Sequence, residues 1–215
     1  MVARHELRRI LDIGCGPGLF ADELQRHRTL PRDGSYVGVD VSPAAIDLAR
    51  TRLAGDARFT FRVGDAEHLD ERGASDIDGI VVSFVLSYLD THAVHRLAAT
   101  LAQAYPRATL IVALTFRSCV DRLEDVAPDE ERELRAARRY LRGHPAVAEG
   151  RWDVRRLLHY RASIETYYRL TEERTLYAQA QMLWVGRARS RRAAIRARPR
   201  TLHTIVRTPR RPRTS

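Results

Sequence analysis

Asp12, Gly14, Gly16 and Gly18 stand at alternate positions in the run Ile10-Leu11-Asp12-Ile13-Gly14-Cys15-Gly16-Pro17-Gly18, a spacing suited to holding a nucleotide-like ligand. Glycine has no Cβ, so the backbone turns sharply and a ligand can lie against the main chain. A helix opening near Pro17 adds free N–H groups and a positive dipole end. A dinucleotide turn has the spacing G-x-G-x-x-G and rests a pyrophosphate on the helix start. Here the third glycine comes one residue early, and Asp12 precedes the turn by two positions. A carboxylate there repels phosphate but suits a ligand bearing an ammonium group. Cys15, enclosed by glycines, reads as a small residue rather than a redox group.

Three later stretches repeat the theme of a short apolar strand joined to an acid. Tyr36-Val37-Gly38-Val39-Asp40-Val41-Ser42 ends in Asp40, 22 residues after Gly18. Phe59 to Val63 leads through Gly64 to Asp65 and Ala66, and Asp76-Ile77-Asp78 leads into the buried run Gly79–Leu89. In order and spacing these stretches resemble motifs I to IV of the class I S-adenosylmethionine-dependent methyltransferases. The resemblance covers roughly residues 7 to 115 well and the rest loosely.

That resemblance implies S-adenosylmethionine as cofactor. Asp12 would take the methionine ammonium, directly or through water, and Gly14, Cys15, Gly16 and Gly18 would approach the ligand through their backbone. Asp40, with Val41 beside it, would accept both ribose hydroxyls. Asp65 and Ala66 would edge the adenine, with His68 as an alternative neighbour. Ser83 and Phe84 are expected next to the methyl donor, and Asp78 is expected to be structural, since the family position often anchors the glycine loop. The N-P-P-Y or D-P-P-Y signature of enzymes that methylate exocyclic amines of nucleic-acid bases is absent after the fourth strand.

The chemistry implied is direct methyl displacement, which needs alignment and exclusion of water. A general base is required only for a hydroxyl or acidic-carbon acceptor. Candidates are His92 and His95 after the fourth strand, and His159 and Tyr160 before the sixth; each fits surface or packing equally well. Tyr88, Phe116, Trp152 and Tyr167 are candidates for the acceptor pocket, although aromatics at such spacing are more often core. No metal site is indicated, because Cys15 and Cys119 form neither a zinc spacing nor a disulfide framework.

The elements that must position these residues alternate between strand and helix, the pattern of a sheet covered on both faces. Strands are expected at 8–13, 36–40, 58–63, 77–83 and 108–114. Helices are expected at 18–28, with Leu19, Phe20 and Leu24 on one face, at 43–54 and at 91–105. Then come a short helix over 151–160 and two strands, Ile164–Leu170 and Gln179–Ala188, joined by Thr171-Glu172-Glu173-Arg174. The fold class implied is α/β, a seven-stranded mostly parallel sheet of order 3-2-1-4-5-7-6 with the last strand antiparallel. Residues 116–163 are expected to form a helical lid or insert. The family commonly carries some tens of residues before motif I. Here either the true start lies upstream, or that insert covers the site.

The 215 residues suit one domain, and 44% hydrophobic with 30% charged residues fit a globular chain. No apolar run approaches the roughly 18–20 residues of a membrane span, and no signal-peptide core is present, so a cytoplasmic protein without membrane partners is expected. Every one of the 37 basic residues is arginine. Eleven of them fall within 186–215 without an acid, so the excess positive charge sits in the tail. Residues 1–188 are expected as the methyltransferase domain and 189–215 as a basic, disordered tail. Arginines 187–213 could contact nucleic acid, but basic runs are more often simply solvated. The preferred expectation is methyl transfer to an O, N or C atom of a small molecule. The alternatives are an RNA or protein acceptor anchored by the tail, and a non-catalytic cofactor-binding relic. The sequence leaves oligomeric state open.

Overall fold

The computed structural model describes residues 2–65, 76–115, 154–176 and 181–190. The strands are β1 (Arg9–Ile13), β2 (Ser35–Asp40), β3 (Phe59–Val63), β4 (Gly79–Ser83), β5 (Thr109–Thr115), β6 (Tyr168–Leu176) and β7 (Gln181–Ala188). The helices are α1 (Leu19–Arg26), α2 (Pro43–Arg52), α3 (Thr91–Ala104) and α4 (Val154–Tyr167), with single 3₁₀ turns at Ala3–His5 and Leu86–Tyr88. Among the described residues no helix is long and apolar enough to cross a membrane.

The seven strands form one sheet of order β3-β2-β1-β4-β5-β7-β6. β1 to β5 pair in parallel, and β7 runs antiparallel to both β5 and β6. β1 and β4 are buried on both faces, which explains their continuous apolar runs. Alternate residues of each strand feed two cores. Leu11, Ile13, Ile80, Val82, Leu110 and Val112 pack with Val94, Leu97 and Leu101 of α3 and with Tyr160 and Ile164 of α4. Ile10, Tyr36, Phe61, Val81 and Ile111 pack with Ala21 and Leu24 of α1 and with Ile46 and Ala49 of α2.

The chain leaves β1 toward β2 and β3, then crosses back to place β4 on the other side of β1. The carboxyl ends of β1 and β4 therefore flank the point where strand order reverses, which is where open α/β sheets bind ligands. Helix caps aim the loops there. Ser42 Oγ accepts from Ala45 N at 3.3 Å with Pro43 at the first helical position, and Asp90 Oδ1 accepts from Ala93 N at 2.7 Å.

Several expectations are corrected. Ile164–Tyr167 is helical rather than strand, because Tyr160 and Ile164, one turn apart, face the α3 core. Tyr160 also donates its hydroxyl to Leu89 O at 3.0 Å. Thr171-Glu172-Glu173-Arg174 is not the connecting turn but part of β6. It is an edge strand in which Glu172 pairs with Arg4 and His5 and Glu173 with Arg161, with a bulge between Leu170 and Glu172. Leu19 is 60% exposed, so Ala21 and Leu24 alone carry the buried stripe of α1.

Asp78 is structural, but it does not touch the glycine loop. It sits at the opposite end of the sheet, where its carboxylate accepts from Arg8 N at 3.0 and 3.1 Å and from Arg9 N at 3.0 Å. This clamps the start of β1 to β4. Asp78→Ala is expected to cost about 1–2 kcal/mol, since backbone donors lose an ionised acceptor but regain water. Thermal unfolding should show a fall of several degrees.

Candidate active site

The turn after β1 is the centre of the site. Gly14, Gly16 and Gly18 all have left-handed backbone, at φ +70, +53 and +76°. The turn is pinned from beneath, since Gly14 N and Cys15 N both donate to Val39 O at 2.7 and 3.1 Å. A Cβ on Gly14 would lie 2.1 Å from Val85 Cγ2, so the turn packs closely on the loop after β4. A Cβ on Gly16 would meet nothing within 4 Å. Gly14 thus closes the fold, and Gly16 keeps an open approach to the main chain.

Asp40, the last residue of β2, ties this turn to the start of α2. Its Oδ2 accepts from Gly16 N at 2.8 Å and its Oδ1 from Ser42 N at 2.9 Å. Each carboxylate oxygen offers two acceptor directions, so each keeps one for a further donor. Val41 next to it is 72% exposed.

Asp12 is buried on β1. Tyr36 donates its phenolic hydrogen to Asp12 Oδ2, and Asp12 Oδ1 has no partner. Burial is the largest cause that raises the Asp12 carboxyl, to about 7; the Tyr36 hydrogen bond opposes it and the Asp40 charge adds to it. Cys15 is pushed up to about 12 by burial first and then by the Asp12 and Asp40 charges. Its thiol is therefore neutral at physiological pH and no nucleophile, in keeping with a small packing residue.

Asp65 follows β3 at the same edge of the sheet, where Gly64 N donates to Asp40 O at 2.9 Å. Ser83 is half-buried at the end of β4. Phe84 has φ +61°, a strained conformation for a residue with a Cβ, and its N–H donates to Ala113 O at 2.8 Å. Tyr88 stands 88% exposed on the following turn. The switch point thus gathers Asp12, the glycines, Asp40, Val41, Asp65, Ser83 and Phe84 at the strand ends. Ala66, His68, Phe116 and Trp152 lie outside the described residues.

The base candidates fall on α3 and α4. His92 is exposed in the first turn of α3. His95 Nε2 lies 2.8 Å from the Tyr167 hydroxyl with the rings edge to face, which places Tyr167 in the α3–α4 packing. Tyr160 is buried and anchored to Leu89, and His159 is half-buried beside it on α4.

Sequence reasoning missed Tyr36. Ile10 pairs with Tyr36 across β1 and β2, so Tyr36 is the diagonal neighbour of Asp12 on one face of the sheet. The signal was a tyrosine opening the apolar run Tyr36–Val39 of β2.

A protein-family model described as a methyltransferase domain matches residues 10–105. Over this stretch, somewhat under half of its length, the chain is similar to a methyltransferase domain. The match takes in the glycine turn, Asp40, Asp65 and the end of β4. Among curated relatives, this chain is similar to magnesium-protoporphyrin O-methyltransferase of Rhodobacter capsulatus, 44% identical over 59 residues (26% of this chain, 24% of the relative). It is also similar to ubiquinone biosynthesis O-methyltransferase of Alkalilimnicola ehrlichii, 32% identical over 96 residues (43% and 37%). The chain therefore matches well under half the length of either relative.

Solved structures share the fold over most of their length. The PH0226 protein of Pyrococcus horikoshii OT3 aligns with TM-score 0.60 at 19% identity, covering 86% of this chain and 84% of that one. The N-methyltransferase NodS of Bradyrhizobium japonicum WM9, solved with S-adenosyl-L-homocysteine, aligns with TM-score 0.56 at 17% identity, covering 85% and 78%. S-adenosylmethionine is the cofactor that the motif resemblance implies. The residues fit that group: an open backbone at Gly16, spare acceptor capacity on Asp40, and a buried unpartnered oxygen on Asp12.

Proposed function

We propose that this chain transfers a methyl group from S-adenosylmethionine to an O, N or C atom of a small-molecule acceptor. The observation that carries the reading is the pairing of Gly16, whose Cβ direction is empty, with Asp40 directly beneath it. In this reading Asp40 accepts the ribose hydroxyls, Asp12 faces the cofactor ammonium, and Val41, Asp65 and Ala66 border the adenine. Ser83 and Phe84 shape the wall beside the methyl donor. When bound, the cofactor supplies a methyl group already activated on a sulfonium.

The protein's own task is then to orient the acceptor and keep water out. Tyr88, exposed on the turn after β4, is the described aromatic best placed to meet an acceptor. The likeness to two proteins named O-methyltransferases supports an oxygen atom of a small molecule as acceptor, while the fold is shared with an N-methyltransferase. For a hydroxyl, a base within hydrogen-bond reach is needed; His92, exposed at the start of α3 just beyond Tyr88, is the proposed candidate. The proposed domain spans 1–188, with 116–163 as lid and 189–215 as a basic tail.

The experiment is transfer of label from methyl-labelled S-adenosylmethionine to a panel of phenols, amines and carboxylic acids, with RNA and protein included. Label on at least one small molecule, with equal S-adenosylhomocysteine formed, is the expected result. Label confined to RNA or protein would overturn the acceptor class.

A further inference from the structure

We propose that Tyr36 is a positioning residue for cofactor binding: its phenol holds Asp12 by Oδ2, so that Oδ1 is presented as a charged acceptor for the ligand's ammonium group. This rests on the cofactor site proposed above and names a residue of this chain that acts through Asp12.

The geometry carries the argument. Asp12 is 1% exposed and makes one hydrogen bond, from the Tyr36 hydroxyl. Its second oxygen is buried with no partner, which is costly unless something arrives to meet it. Nothing in the turn needs that oxygen. The glycine-turn amides are satisfied by Val39 O, Cys15 O and Asp40. An ammonium group would meet the unpaired oxygen and its charge together.

The titratable groups that act on Asp12 are few. They are Tyr36 and Asp40 of β2; Cys15 of the turn, whose thiol is neutral, is itself raised by Asp12. On the flanking strands Asp12 stands beside Gly38 of β2 and Val81 of β4, neither of which titrates. α1 and α2 turn Ala21, Leu24, Ile46 and Ala49 to this core, with Asp22 of α1 paired to Arg26 at 2.8 Å. No arginine is among the groups that shift Asp12. The Tyr36 phenol is pushed well above its usual 10 by burial and by the Asp12 charge, so it remains a donor at every pH of interest.

The sign follows. The Asp12 carboxyl titrates near 7 in the free protein, and a positively charged ligand favours its ionised form. Affinity for such a ligand should rise about tenfold per pH unit below that midpoint and flatten above it. The Tyr36 hydrogen bond lowers the Asp12 midpoint, so its loss raises it.

The test is titration calorimetry between pH 5.5 and 7.5 with S-adenosylhomocysteine, and with 5′-methylthioadenosine, which lacks the amino-acid moiety. The intact protein should bind S-adenosylhomocysteine more tightly as pH rises, and 5′-methylthioadenosine independently of pH. Tyr36→Phe should move the midpoint up by about one unit, weakening S-adenosylhomocysteine about tenfold at pH 6 with a smaller deficit at pH 7.5. If Tyr36→Phe does not fold, Tyr36→3-fluorotyrosine keeps the shape with a stronger donor and should move the midpoint down. An unmoved midpoint in the folded variant, or equal weakening of both ligands at every pH, would overturn the role of Tyr36 and leave the site reading standing. Failure of the intact protein to bind either ligand would overturn the site reading itself.

Discussion

Asp40→Ala is expected to lower affinity for S-adenosylhomocysteine by about a hundredfold or more. The proposed ribose contacts are two hydrogen bonds to an ionised acceptor, worth about 1.5–3 kcal/mol each, and about 2.7 kcal/mol already equals a hundredfold. The same substitution releases Gly16 N and Ser42 N, so the turn after β1 loses its tie to the start of α2. That adds disorder at the place where the ligand lies. Asp40→Asn separates the two effects. It keeps one acceptor oxygen but brings an NH₂ group against the Gly16 or Ser42 donor, and should fall between the intact protein and Asp40→Ala. Calorimetric titration measures the affinities, and thermal unfolding reports whether the fold has survived.

Gly14 and Gly16, two residues apart, should behave in opposite ways, and this contrast is the second large effect. Gly14→Ala forces a side chain into left-handed backbone and drives its Cβ to 2.1 Å from Val85 Cγ2. Left-handed strain of about 1–2 kcal/mol and overpacking of about 1–3 kcal/mol should together lower the melting temperature by roughly 5–15 °C for a chain of this size. Gly16→Ala bears the backbone strain alone, since its Cβ would enter empty space. Its melting temperature should fall only by a few degrees, yet ligand affinity should drop at least tenfold, because the new methyl group occupies the approach to the main chain. Equal affinity in Gly16→Ala and the intact protein would place the ligand elsewhere.

The readability of this chain follows from what each feature depends on. Parallel strands buried on both faces must be mostly apolar, so β4 and β5 stand out as apolar runs and β1 as one broken only by Asp12. The glycine turn and Asp40 are legible for a local reason: backbone approach needs glycine, and the acid closes a strand. Sheet order came with the resemblance and is the order observed. The α4–β6 boundary was not legible. Ile164, Thr166 and Tyr167 favour strand by intrinsic preference, but Tyr160 and Ile164 face α3 and the packing overrides that preference. The charged run 171–174 imitates a turn, while its place at the sheet edge makes it strand.

Within the site, what stayed hidden depends on register. The partner of Asp12 is fixed by the Ile10–Tyr36 pairing across β1 and β2, which no spacing along the chain displays. Asp78 is structural as expected, but the family's habit of anchoring the glycine loop does not carry over, because its position before β4 puts it at the amino end of the sheet against Arg8 and Arg9. The places of the acceptor-pocket candidates are hidden for a related reason, since they depend on packing between segments distant in sequence. Tyr167 illustrates this: its ring meets His95 on α3.

The most direct test of the account is a crystal structure of the protein with S-adenosylhomocysteine. The account predicts the ribose hydroxyls on the two oxygens of Asp40, the nucleoside passing over Gly16, and the amino group facing Asp12 Oδ1. A ligand seated away from the ends of β1 and β2, or one whose ribose makes no contact with Asp40, would contradict it.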